Sequence, residues 1–206
     1  MQTPSVVAVQ RNYGLYCRGG EAKFSWRNPE PGVTVSDDGI AWNADGRQRQ
    51  ARLSDIAEVH LQTGSVGRNM IASCRLRLGD GSTVLIASNN GYGLQDDVHD
   101  RHYRAFVQDL HARLAARKDT PIAFTAGFGE ARYRFGQVVI VVAGLFFLVT
   151  PAVLLLITSS WQMIWALFPG VSLLWPLYRV MRADAPRVYD PRQVPPELMP
   201  TASQFG

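Results

Sequence analysis

The chain has 206 residues, 47% of them hydrophobic, and 21 basic against 17 acidic residues leave a net charge of +4. That surplus is too mild for a nucleic-acid-binding surface, and two distant cysteines, Cys17 and Cys74, are too few for a disulfide scaffold or a metal knuckle. The averages hide a segregation: residues 137–178 contain no Asp, Glu, Lys or Arg, whereas residues 1–136 hold 17 basic and 14 acidic ones, a departure from globular composition.

Residues 1–118 read as one cytoplasmic domain. Its first twenty residues lack a continuous apolar run, so no secretory leader is expected, and in a reducing compartment Cys17 and Cys74 are expected as free thiols. Apolar residues then recur with period two: Phe24 and Trp26, Val33 and Val35, Ile40 and Trp42. Asp45-Gly46 marks a hairpin turn into Arg47–Arg52. Leu53-Ser54-Asp55 leads into a strand over 56–62, and Cys74, Leu76 and Leu78 alternate with Ser73, Arg75 and Arg77 before Gly79-Asp80-Gly81 turns the chain into Thr83–Ser88. About seven short strands result.

One helix follows. Tyr103, Phe106, Val107, Leu110 and Leu114 form a single apolar stripe, with Asp96, Asp97 and Asp100 near its start and Arg113, Arg117 and Lys118 at its end. Strands followed by one amphipathic helix predict an α+β unit, a bent antiparallel sheet closed by a C-terminal helix.

The stretch Asp38-Gly39-Ile40-Ala41-Trp42, followed by Leu53-Ser54-Asp55-Ile56-Ala57-Glu58-Val59, resembles bacterial membrane-associated members of the pleckstrin-homology-like (PH-like) superfamily. The resemblance covers roughly residues 20–118 and implies a seven-stranded sheet capped by the helix. In many relatives the membrane helices precede the domain, whereas here they follow it. The tail, Tyr189-Asp190-Pro191-Arg192 to Pro195-Pro196-Glu197-Leu198, is similar to tails of small alphaproteobacterial membrane proteins.

Residues 119–136 form a connector whose Ile122, Phe124 and Phe128 are expected on the domain or at a membrane surface. Residues 137–178 are expected as a two-helix transmembrane hairpin. Its first span, 137–158, is about 33 Å long and its second, 161–178, about 27 Å, against a hydrocarbon core of about 30 Å. Only Ser159-Ser160 separates them. Arg132, Arg134, Arg179, Arg182 and Arg187 flank the pair and the turn is uncharged, which places both termini on the cytoplasmic side of a bacterial inner membrane. Tyr133, Trp161, Trp175 and Tyr178 are the expected interface anchors. Pro151, Pro169 and Pro176 are expected to kink the spans without making a pathway, because no ionisable group accompanies them. The Pro-rich tail, 179–206, is expected to be extended and poorly ordered from Pro186 onward.

Neither a nucleophile elbow nor a phosphate-binding glycine loop is present, so the protein reads as non-catalytic and without a cofactor. His99 and His102 lie one helical turn apart beside three aspartates, but exposed His and Asp at a helix start are ordinary and no metal is expected. His60 and His111 are isolated and expected at the surface or half buried. The basic residues Arg47, Arg49, Arg52, Arg68, Arg75 and Arg77 are the candidate contacts, with an anionic lipid or a protein partner, and the loop 63–70 is a candidate contact edge. The expectation is a membrane-anchored binding module that recruits a partner or contacts anionic lipid. The alternative is an accessory subunit of a membrane transport or respiratory complex, acting through the hairpin.

Overall fold

The computed structural model describes residues 10–19, 32–44, 47–66, 69–90, 94–117, 121–158 and 164–200. It is a mixed α+β structure of two compact units. One comprises residues 1–125 and 188–206, the other residues 126–187.

The first unit is built on two sheets. Strand β1 (Arg11–Tyr13) and strand β2 (Tyr16–Gly19) are halves of one extended stretch broken at Gly14-Leu15, where the Leu15 N–H donates to the Tyr13 carbonyl at 2.8 Å. The break sends the halves into different sheets. The smaller sheet runs β1-β3-β4-β5, with β3 (Val33–Val35), β4 (Gly39–Ala44) and β5 (Arg47–Arg52). The larger runs β10-β9-β6-β7-β8-β2, with β6 (Ile56–Val66), β7 (Asn69–Leu78), β8 (Thr83–Ala87), β9 (Ala123–Ala126) and β10 (Arg187–Val188). Among the described residues eight strands precede the helix: β3 to β8 lie where strands were expected, and β1 and β2 lie where none was. The predicted strand around Phe24 and Trp26 lies outside the described residues.

Period-two patterning aims the inward side chains at one core. Val33 and Val35, Ile40 and Trp42, Val59 and Leu61, Cys74 and Leu76, and Val84 and Ile86 are all buried. Leu53-Ser54-Asp55 forms a 3-10 turn between the sheets, its Leu53 fully buried. The strand expected over 56–62 continues to Val66 and pairs with β7 through Asn69, so the described part of the predicted contact loop 63–70 is a β-hairpin arm.

Helix α1 (Asp97–Ala116) covers this core. Asp96 caps it, its Oδ1 accepting from the Val98 N–H at 2.7 Å. Its stripe of Tyr103, Phe106, Val107, Leu110 and Leu114 is buried as predicted, and the buried face also includes Asp100 and His111. The Tyr13 hydroxyl donates to Asp109 at 3.0 Å, Arg113 pairs with Asp109 and Asp37, and Arg117 donates to the Asp37 carbonyl. These bonds tie the helix to β1 and to the turn before β4.

The second unit is helical. Helix α2 (Glu130–Gly144) passes through a π-helical stretch (Leu145–Val149) into α3 (Thr150–Thr158), and α4 (Ile164–Ala183) follows. The wide turn has a local cause: Pro151 has no N–H to give, and the Thr150 N–H instead reaches the Leu145 carbonyl. Helices α2 and α4 lie against each other, with Gly136 so close to Met181 that any side chain there would strike the Met181 sulfur. At the base of the unit, the Phe128 N–H donates to the Asp184 carbonyl at 2.8 Å. Gly127 (φ +93°) faces the Asp184 and Ala185 carbonyls, where a Cβ would not fit.

Among the described residues, one helix is long and apolar enough to cross a membrane: Glu130–Leu154, with mean hydropathy 2.5 and none of its apolar window buried. Phe135, Leu156 and Ile157 are more than 70% exposed. The second expected span falls on α4 from Ile164 onward; Trp161 and the Ser159-Ser160 turn lie outside the described residues.

Candidate functional site

The predicted basic residues occupy two different sheets. Arg47, Arg49 and Arg52 are exposed on β5, the edge of the smaller sheet. Register with β4 places Arg47 and Arg49 on one face and Arg52 on the other. Arg75 and Arg77 project from β7, in the interior of the larger sheet, away from the buried Cys74 and Leu76. Arg68 lies outside the described residues.

Arg77 is not a bare cation. Its Nε meets Glu58 Oε2 at 3.0 Å, Glu58 Oε1 accepts from the Thr125 hydroxyl at 2.8 Å, and Thr125 Oγ1 lies 2.9 Å from His60 Nδ1. Since the single hydroxyl proton goes to Glu58, His60 Nδ1 is the donor in the last bond. This chain of polar groups joins β7, β6 and β9 across the outer face of the larger sheet. Arg75 stands opposite His60 in register and carries the more available charge.

The sequence hid a second feature. The stretch expected to be a connector supplies β9, and the tail expected to be extended is docked. Strand β10 lies beside β9, with the Tyr189 N–H donating to the Phe124 carbonyl at 3.2 Å. Tyr189 and Leu198 are buried, and a 3-10 turn (Pro196–Leu198) packs on β6. The phenol of Tyr189 lies 2.7 Å from His111 Nε2, and His111 Nδ1 lies 2.7 Å from the Val107 carbonyl. A carbonyl can only accept, so Nδ1 carries the proton and Nε2 accepts from Tyr189. The rings of His111, Phe124 and Tyr189 stand 5.5–5.9 Å apart in a closed cluster. Burial lowers the His111 pKa to about 4. His111 was expected at or near the surface; it is buried because the tail returns over it. Prolines suggest extension, but a segment with one Tyr and one Leu suitably spaced docks through a two-residue strand and a single 3-10 turn.

The returning tail leaves a groove of about 1040 Å³ between itself and α1. Ala112, Ala115 and Ala116, at helical spacing, give the helix wall its depth, and Val194 and Met199 line the opposite wall. Arg104, Gln108, Arg192 and Gln193 add polar groups. The Arg104 Nε–H is buried and has no hydrogen-bond partner.

His99 stacks on Tyr16 (5.6 Å between ring centres), its Nδ1 lying 3.5 Å from Asp96 Oδ1, and His102 approaches Gly14. Among the described residues, no group of three or more His, Cys, Asp or Glu is arranged to hold a metal ion. Cys17 and Cys74 each stand opposite Ile86, on its two sides. Two strand spacings separate them, about 9.5 Å, beyond the ~7 Å reach of a disulfide. Burial pushes the Cys17 thiol up to about 12 and the Cys74 thiol higher still. In the helical unit, Trp175 and Tyr178 line a small hollow with Arg179 and Arg182, while Tyr133 is half buried on α2.

No family model matches the chain, and no curated protein is detectably similar to it.

Proposed function

We propose that the protein is a membrane-anchored, non-catalytic binding module: a PH-like cytoplasmic domain held at the inner leaflet of a bacterial inner membrane by a transmembrane hairpin inserted between two of its strands. The observation that carries this reading is the adjacency of β9 and β10. One leads into the apolar helices and the other leads out, and their bond from Tyr189 to Phe124 belongs to a single folded unit. A folded domain does not straddle a bilayer, so an apolar segment inserted in it crosses an even number of times. A hairpin is the simplest such path.

Several further observations support this reading. Large apolar side chains stand exposed from α2 to α3, among them Val138, Val141, Phe146, Leu156 and Ile157, and such a surface is one that a bilayer or another apolar surface covers. Helices satisfy their own backbone groups, as a bilayer demands. Arg132, Arg134, Arg179, Arg182 and Arg187 all lie at the domain-proximal ends of the helices, where the positive-inside rule places the cytoplasm. The broken first strand shared by two sheets, and the single helix over the core, support the PH-like reading.

Anionic lipid is the partner this geometry favours. The domain is tethered beside the leaflet, and the arginines of β5, together with Arg75, are exposed, each worth about 1 kcal/mol near an anionic surface. The test is hydrogen–deuterium exchange of the full chain in nanodiscs of graded phosphatidylglycerol content. Protection of β5 and β7 that rises with anionic content, and is lost in Arg47→Gln/Arg49→Gln/Arg75→Gln, supports lipid contact. Exchange indifferent to lipid charge contradicts it and leaves a protein partner.

A further inference from the structure

We propose that the groove between α1 and the returning tail is a binding site for a small amphiphilic anion, a phosphate or carboxylate head carrying a short alkyl chain. The site belongs to the domain alone, so the proposal stands independently of the membrane reading. Its size is the first argument: about 1040 Å³ is at the upper end of the range for small-molecule pockets, about 300–1,000 Å³.

Charge is the second. Among the described residues, Arg104 and Arg192 are the charged residues that line the groove, and no carboxylate lines it. His111 also lines it, but its Nε2 is engaged by Tyr189 and burial keeps the ring neutral. The nearest restraint on Arg104 is Asp100, one helical turn earlier, which feels the Arg104 charge. That carboxylate takes its hydrogen bond from Gln95 at 2.9 Å and does not line the groove. Asp190 likewise turns to the Arg192 backbone, accepting its N–H at 2.9 Å. Arg104 and Arg192 are therefore cations lining a groove that no carboxylate among the described residues lines, and an oxyanion is the ligand group that matches them.

The third argument is the remaining lining. Gln108 and Gln193 offer amide donors, one from each wall, beside the two arginines. Alanine, proline, valine and methionine make up the rest, a surface suited to a chain of methylenes and not to a second charge. Head and chain therefore have separate places.

Isothermal titration of the full chain in phosphatidylcholine nanodiscs with octyl phosphate tests this, using empty discs to subtract partitioning. One saturable site is expected. Arg104→Gln/Arg192→Gln should weaken it about tenfold or more, the loss expected for charge-assisted hydrogen bonds. Ala112→Trp should abolish it by filling the groove with both arginines intact. Inorganic phosphate should bind far more weakly, and neutral octyl glucoside should not find the site. Near-UV circular dichroism shows whether each variant is folded; if Ala112→Trp is not, the arginine pair decides alone. Equal titrations for the wild type and the folded variants overturn the proposal, as does octyl glucoside binding equally well or inorganic phosphate binding as tightly as octyl phosphate.

Discussion

Tyr189 donates its phenolic hydrogen to Nε2 of His111 at 2.7 Å, joining two residues 78 positions apart in the chain. Everything between them includes both apolar helical runs, so this bond, with that from the Tyr189 N–H to the Phe124 carbonyl, closes the domain over its own insertion. Tyr189→Phe keeps the ring packing on Phe124 but leaves a buried imidazole nitrogen without its donor, at a cost of about 1–3 kcal/mol. The tail should then open more often, and trypsin should cut after Arg192 faster than in the wild type. Equal cutting rates would show that the bond does not hold the tail.

The same pair sets a pH dependence. His111 has a folded pKa of about 4 against 6.5 in model compounds, so between those values the unfolded chain binds the proton and the folded one does not. Stability therefore rises with pH through this window, is unaffected by His111 above about pH 7, and is reduced by about 3 kcal/mol once pH falls to 4. Asp100, held above the usual carboxylate range by burial, contributes in the opposite sense near the low end. The comparison of wild type with His111→Asn by thermal melting from pH 4 to 8 isolates the histidine. The variant should lose the wild type's extra slope.

How much of this was legible in the sequence follows from the range of each signal. Period-two alternation marked the strands around Val33, Ile40 and Cys74, and the stripe from Tyr103 to Leu114 marked α1, because each pattern lies within a few residues. The broken strand at Gly14-Leu15 was invisible, since only the pairing of its halves with β3 and β8 defines it. His111 sits one position from Leu110 on a helix whose polar face began there by pattern. Nothing local announced that residues 187–200 would return to bury it. Leu198 and Tyr189 among prolines were the available signal, and proline breaks regular structure without preventing a segment from docking.

Cys17 and Cys74 offer a simple check on the core. Both are buried, and burial disfavours the thiolate that reacts. Iodoacetamide should modify neither in the folded protein at pH 8, and both once denaturant unfolds it. No intramolecular disulfide should form under oxidising conditions, given their separation across β8. Rapid native labelling would mean that β2 or β7 opens far more readily than a fully buried Ile86 between them suggests.

Gly127 tests the base of the helical unit. Its positive φ and the two carbonyls facing it leave no room for a methyl group. Gly127→Ala should lower the melting temperature, with a cost of about 1–3 kcal/mol. Gly129→Ala, whose added Cβ meets nothing within 4 Å, should be nearly neutral by the same measurement.

In the proposed topology one domain, made of chain from both sides of the apolar segment, faces a single side of the membrane. Single cysteines at Asp80 (domain), Ser160 (between the helical runs) and Arg192 (tail), in a background lacking Cys17 and Cys74, can be labelled with a membrane-impermeant maleimide in intact cells and in inverted vesicles. Labelling is expected at position 160 in intact cells only, and at positions 80 and 192 in inverted vesicles only. Positions 80 and 192 labelling from opposite sides, or all three behaving as a soluble protein, would contradict it.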